Sequence, residues 1–177
     1  MAGEKADGSP EAPAADVRER GSKTPDDSRT EVTRTVVFAD INGENRLFGG
    51  RLMEWIDDAA GIAARRHCGG SITTACVDQL QFRHAAYLND IVVIDAQVTY
   101  VGRTSLEVRV DSYVENVRTG ERVKINKAYL TEVHVDAAGN PVTIPYGLEL
   151  TSDPERAEYA AAEKRKELRK QRKVEHF

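Results

Sequence analysis

Apolar residues recur with two different periods along this chain, and the change of period divides it. From Gly50 to His67, Leu52, Trp55, Ile56, Ala59, Ile62 and Ala63 return at helical spacing, and Arg51, Glu54, Asp58 and Arg65 form only a narrow polar wedge. A helix so nearly apolar all round is mostly enclosed by protein. Cys68-Gly69-Gly70 supplies a helix stop and a turn. After it the period becomes two, and Thr73 to Phe82, Ile91 to Val101, Ser105 to Val117 and Arg122 to Val135 read as strands. A shorter β-rich run, Glu31 to Phe38, precedes the helix.

The strand-like runs are separated by Leu88-Asn89-Asp90, Gly102-Arg103, Arg118-Thr119-Gly120 and Ala138-Gly139-Asn140-Pro141. Short turns between successive strands predict an antiparallel meander. One long helix against such a curved sheet makes an α+β arrangement, the hotdog fold, in which an antiparallel β-sheet wraps around a long central helix. The ends read differently. Met1 to Arg29 is rich in Ala, Gly, Pro and Ser, with Met1 and Val17 its only large apolar residues. Such a segment buries too little surface to offset its ordering entropy. The expected organisation is therefore a disordered tail over 1–30, one domain over 31–150, and a basic C-terminal helix or tail over 151–177. Thr151-Ser152-Asp153-Pro154-Glu155 offers a cap and a first-turn proline, and Tyr159 to Lys173 is acidic early and basic late.

Composition narrows the function classes. A length of 177 residues fits one domain, and a net charge of −4 argues against general affinity for nucleic acid. The basic start and apolar run of a secretory signal are missing, as is any stretch long enough to span a membrane, which predicts a cytoplasmic protein. Cys68 and Cys76 lack companion metal spacing, so reduced thiols and no metal site are expected.

The candidate chemistry lies on the helix. Asp57 stands seven residues after Gly50, so the acid shares a face with a backbone N–H of the helix start. That stripe continues through Ala60, Gly61 and Ala64, small enough to let an extended ligand approach. A buried carboxylate needs a task or a partner, and pairing with an arginine is the structural alternative to catalysis. Asp58, at the edge of the polar wedge, reads as solvated or bonded to Arg65.

Four ordered pieces resemble the hotdog acyl-CoA thioesterases of the acyl-CoA hydrolase family: Asn42 through Leu47-Phe48-Gly49-Gly50 to Asp57; Thr74-Ala75-Cys76-Val77-Asp78 with Phe82; Asn89-Asp90; and Tyr100-Val101-Gly102-Arg103-Thr104-Ser105. Asn45 and Asn89 stand where that family often has Gly. The resemblance implies hydrolysis of acyl-CoA to a free acid and coenzyme A. Asp57 is then general base or nucleophile, Asn42 its partner across a dimer interface, and the Gly50 amide the donor to the thioester oxygen. It implies a coenzyme A contact at Gly102, Arg103, Thr104 and Ser105, with Lys164, Arg165 and Lys166 as candidates for the 3′-phosphate. No separate cofactor is implied, since coenzyme A belongs to substrate and product. The expected assembly is a homo-oligomer, a trimer of dimers. A non-catalytic acyl-CoA sensor is the alternative, and a dehydratase using His67 or His84 a weaker one. Asp78 and Trp55 read as structural.

Overall fold

The computed structural model describes residues 20–175. The helix α2 spans Gly49–Cys68, and a five-stranded antiparallel sheet curves around it. Its strands are β2 (Thr30–Thr35), β3 (Ser71–Phe82), β4 (Ile91–Val101), β5 (Ser105–Glu115) and β6 (Arg122–Val135), in the order β2-β4-β5-β6-β3. The hotdog arrangement follows from the two periods. Val92, Ile94, Ala96 and Val98 of β4, Leu106, Val108 and Val110 of β5, and Ala128 and Leu130 of β6 form one face. Leu52, Trp55, Ile56, Ala59, Ala60, Ala63 and Ala64 of α2 pack onto it. Full burial of each larger side chain contributes about 1.5–3 kcal/mol, and the alanines bring the helix axis close to the sheet. Gly69, at φ +70°, ends the helix in the left-handed region, its N–H donating to Arg65 O at 2.8 Å.

Two expectations for the helix are corrected. Ile62 is 40% exposed and outside the core. Ala60 and Ala64 are fully buried in the core, so of the small-residue stripe only Gly61 is partly exposed, and the two alanines pack against protein.

Of the segment expected to stand outside the domain, residues 1–19 lie outside the described residues. The part that follows is integrated. The strand β1 (Gly21–Lys23) pairs in parallel with β7 (Tyr146–Leu148), and the single-turn α1 (Pro25–Ser28) carries a Thr24/Asp27 capping box. Lys23 Nζ donates to the carbonyls of Arg66 and His67, satisfying orphan acceptors at the negative end of α2. The segment is thus held by caps and backbone pairing, which leave no hydrophobic trace.

The C-terminal helix α3 spans Asp153–Glu175 and lies on the outer face of the sheet. Among its described residues only Ala162 is buried; charge docks it instead. Arg165 bonds Glu107 at 2.8 Å and Glu158 at 3.0 Å, Arg169 and Arg172 bond Asp78 at 2.7 and 2.9 Å, and Glu158 accepts from Arg109 and the Tyr129 hydroxyl.

Among the described residues no helix is long and apolar enough to cross a membrane.

Candidate active site

Asp57 sits on the α2 face turned toward β3, where Thr74 Oγ1 donates to its Oδ1 at 2.7 Å; the carboxylate is exposed in the single chain, which corrects the expectation of a buried one. Thr74 is in register with Glu132 of β6, and its hydroxyl oxygen is 3.2 Å from both Glu132 carboxyl oxygens. The strand is irregular at this point. Ladder breaks between Thr74 and Cys76 and between Asp78 and Gln81, with Gln79 at φ +53°, shift which residues face the helix. Thr74 and, beyond the first bulge, Val77 and Leu80 turn inward, while Asp78 turns outward to the arginines of α3.

An open cleft of about 340 Å³ lies between α2 and β3. Met53, Ile56, Val77, Leu80 and Leu130 give it apolar walls, with Gly50 and Asp57 among its lining. The first intrahelical bond runs from Leu52 N to Phe48 O at 3.1 Å, which leaves the amides of Gly49, Gly50 and Arg51 ahead of the ladder, at the positive pole. A Cβ at Gly50 would meet the exposed Phe48 ring at 2.6 Å, so a larger residue there displaces that ring. Donor and carboxylate therefore share one cleft, as their seven-residue spacing predicts.

Asn42 does not join them within one chain. Its Oδ1 accepts from the amides of Glu44 and Arg46 at 2.9 and 3.2 Å, and it lines a separate cleft of about 240 Å³ with Phe82 and His84. The loop around it is anchored by a residue that sequence reasoning missed. Asp40, buried, accepts from Val37 N and pairs with Arg51 Nε at 3.2 Å, and its carbonyl accepts from Phe48 N. The two asparagines at common glycine positions both take the left-handed conformation, Asn45 at φ +58° and Asn89 at +72°. Asparagine visits that region more readily than other non-glycine residues.

The Gly102 to Ser105 segment joins β4 to β5. Gly102 N donates to Ser105 O at 2.8 Å, and the carbonyls of Arg103 and Thr104 accept from Ile144 and His134. Lys166 Nζ bonds the Tyr100 hydroxyl at 2.7 Å and would lie 3.7 Å from a Cβ at Gly102, so one lysine of the basic helix does reach this turn. Arg165 does not serve there. Its guanidinium is committed to Glu107 and Glu158 and stacks 3.6 Å from the Tyr129 ring centroid, which corrects its place among the phosphate candidates. Lys164 is exposed.

His67, His84 and Asp58 do not line the Asp57 cleft. His67 is buried, its Nε2 3.3 Å from Tyr146 O, and burial lowers its pKa. His84 is exposed beside Asn42, Asp58 is exposed, and Trp55 is in the core. Burial foremost, with the Asp57 charge adding to it, pushes the Glu132 carboxyl up to about 7 against the lowering bond from Thr74.

The thioesterase superfamily matches residues 44–121. An acyl-CoA thioester hydrolase of Bacillus subtilis is 40% identical over 119 residues, covering 67% of this chain and 69% of that protein. The acyl-CoA hydrolase of Staphylococcus aureus, solved as an asparagine-to-alanine variant with coenzyme A, superposes with a TM-score of 0.84 at 33% identity over 89% of this chain and 94% of that one. A hexameric acyl-CoA thioesterase superposes at 0.81 with 36% identity, over 86% and 97% of the two chains. The Staphylococcus enzyme has also been solved as aspartate-to-alanine and threonine-to-alanine variants, and the three altered positions are spaced fifteen and seventeen residues apart, as Asn42, Asp57 and Thr74 are here.

Proposed function

The chain belongs to the thioesterase superfamily, and from that membership we propose how its cleft works: it hydrolyses acyl-CoA to a free carboxylic acid and coenzyme A, with Asp57 as the reacting carboxylate. The observation that carries this reading is the Asp57 carboxylate, held by Thr74 at 2.7 Å, in an apolar cleft that also contains the Gly50 amide. As a base, Asp57 takes a proton from water as the water oxygen bonds to the thioester carbon. As a nucleophile, it forms a mixed anhydride that water opens. Either way the C–S bond breaks, the thiolate leaves and takes a proton, and the charge on the carbonyl oxygen develops against preorganised N–H groups at the helix start. The acyl chain lies along Met53, Ile56, Val77, Leu80 and Leu130.

Gly102, Arg103, Thr104 and Ser105 are assigned to coenzyme A, with Lys166 beside them. No further cofactor is needed, because coenzyme A enters as part of the substrate. The long edge strand β3 and the exposed Phe48, Val77 and Phe82 support a homo-oligomer in which a second copy covers this edge and its Asn42 completes the site. The hexameric relative supports a trimer of such dimers. Two free thiols, Cys68 and Cys76, fit a cytoplasmic setting.

Thiol release measured over a panel of acyl chain lengths, for the native enzyme and Asp57→Ala, tests the assignment. Loss of turnover with retained coenzyme A binding is expected; undiminished turnover overturns it.

A further inference from the structure

Glu132 is a carboxyl group without an evident reason to be where it is. It is fully buried, on the inner face of β6 beside Leu130, and among the described residues no Lys, Arg or His pairs with it. The groups that face it are Thr74 from β3 and, from α2, Asp57 beyond that hydroxyl and the buried Cys68 thiol, itself pushed up to about 11 by burial. Its register partner on β5 is Leu106, which offers no charge.

A threonine hydroxyl has one proton and accepts through two lone pairs. Here it lies between two carboxyl groups, 2.7 Å from one and 3.2 Å from both oxygens of the other. Were both ionised, two acceptors would compete for one proton and two like charges would face each other across it, one of them fully buried. A single additional proton on Glu132 resolves the conflict: Glu132 donates to Thr74 Oγ1, and Thr74 donates to Asp57.

We propose that Glu132 is a positioning residue, present as the neutral acid in the working enzyme, which through Thr74 orients the reacting carboxylate of Asp57. The proposal rests on Asp57 being that carboxylate. It makes the relay directional, from Glu132 through Thr74 to Asp57, with no proton transferred in the resting state. Ionisation of Glu132 cuts the relay, because the hydroxyl proton is then shared between two anions and Asp57 loses its fixed orientation.

Infrared difference spectroscopy of the native protein against Glu132→Gln reads the protonation directly. The carbonyl stretch of a protonated carboxylic acid is expected below about pH 7 in the native protein and absent from the variant, and it should fade as the pH is raised through that value. Absence of the band at about pH 6 overturns the inference.

Kinetics supplies the second arm. Glu132→Gln keeps a neutral donor toward Thr74, so kcat within about threefold of the native value is expected, without the native decline across Glu132 ionisation. Glu132→Leu removes the donor and is expected to lower kcat by about tenfold or more at little-changed KM. Matching pH profiles for the native enzyme and Glu132→Gln overturn the proposal. The two readings fail separately. An active Asp57→Ala variant removes the reacting carboxylate while the Glu132 band persists; a missing band beside an inactive Asp57→Ala variant removes the positioning role alone.

Discussion

Replacing Arg165 with methionine separates a structural arginine from a phosphate-binding one. The guanidinium bonds Glu107 through Nη2 at 2.8 Å and Nε at 3.1 Å, bonds Glu158 at 3.0 Å, and covers Tyr129. Glu107 is 1% exposed, so removing its main partner leaves a nearly buried carboxylate. It retains the Thr99 hydroxyl at 2.8 Å and Arg169 at 3.5 Å. Breaking a buried pair from one side typically costs about 3–5 kcal/mol, and the residual partners place this case at the lower end, about 3 kcal/mol. At about 2–4 °C per kcal/mol for a domain of this size, the midpoint of thermal unfolding should fall by about 6–12 °C at fixed protein concentration. The double variant Arg165→Met with Glu107→Leu should recover most of the loss, because the stranded charge goes with its partner. A fall under about 2 °C, or a double variant with losses that simply add, refutes the reasoning. If Arg165 instead held the 3′-phosphate, KM would rise for acyl-CoA and not for its dephospho analogue, at unchanged stability.

Gly50→Ala brings a methyl group to within 2.6 Å of the exposed Phe48 ring, which can swing away. The expected result is a folded protein with kcat reduced by about tenfold or more as the helix start is reshaped; native kcat with unchanged circular dichroism counts against the oxyanion role. Asn89→Gly should be near neutral and Asn89→Ala destabilising by about 1 kcal/mol, since residue 89 has φ +72°; denaturant melts distinguish the two. Glu132 ionises near 4.5 in the unfolded chain and near 7 in the folded one. The folded state therefore binds the extra proton, and stability falls as pH rises across that window, by about 3 kcal/mol for this group. Urea titrations at several pH values should show the slope in the native protein and lose it in Glu132→Gln.

The helix, the four long strands and the shared face of Gly50 and Asp57 could all be read from residue spacing, because each depends on a period that the backbone imposes locally. What could not be read depends on exceptions to period. Thr74 looks like an ordinary strand threonine, and simple alternation from it would put Cys76 and Asp78 on its face. The bulge after Thr74 moves Val77 inward and leaves Asp78 outward. Glu132 follows Leu130 on a core-facing row, where its charge argues against burial by residue type alone. Only the pairing register, which sets Glu132 opposite Thr74, turns these two residues into neighbours of Asp57. The ends of the chain escaped for a related reason. Lys23 and the α3 arginines fasten their segments through carbonyls and buried acids, and charged residues have no hydrophobic period to announce them. Asn42 is the converse case: its position in the motif was readable, yet one chain seals its Oδ1 into its own loop and keeps it in a separate cleft. An assignment of Asn42 to the reaction therefore requires a second copy. Mixing inactive Asp57→Ala and Asn42→Ala chains is its direct test, because a shared site must regain activity in the mixed dimer and a site built within one chain cannot.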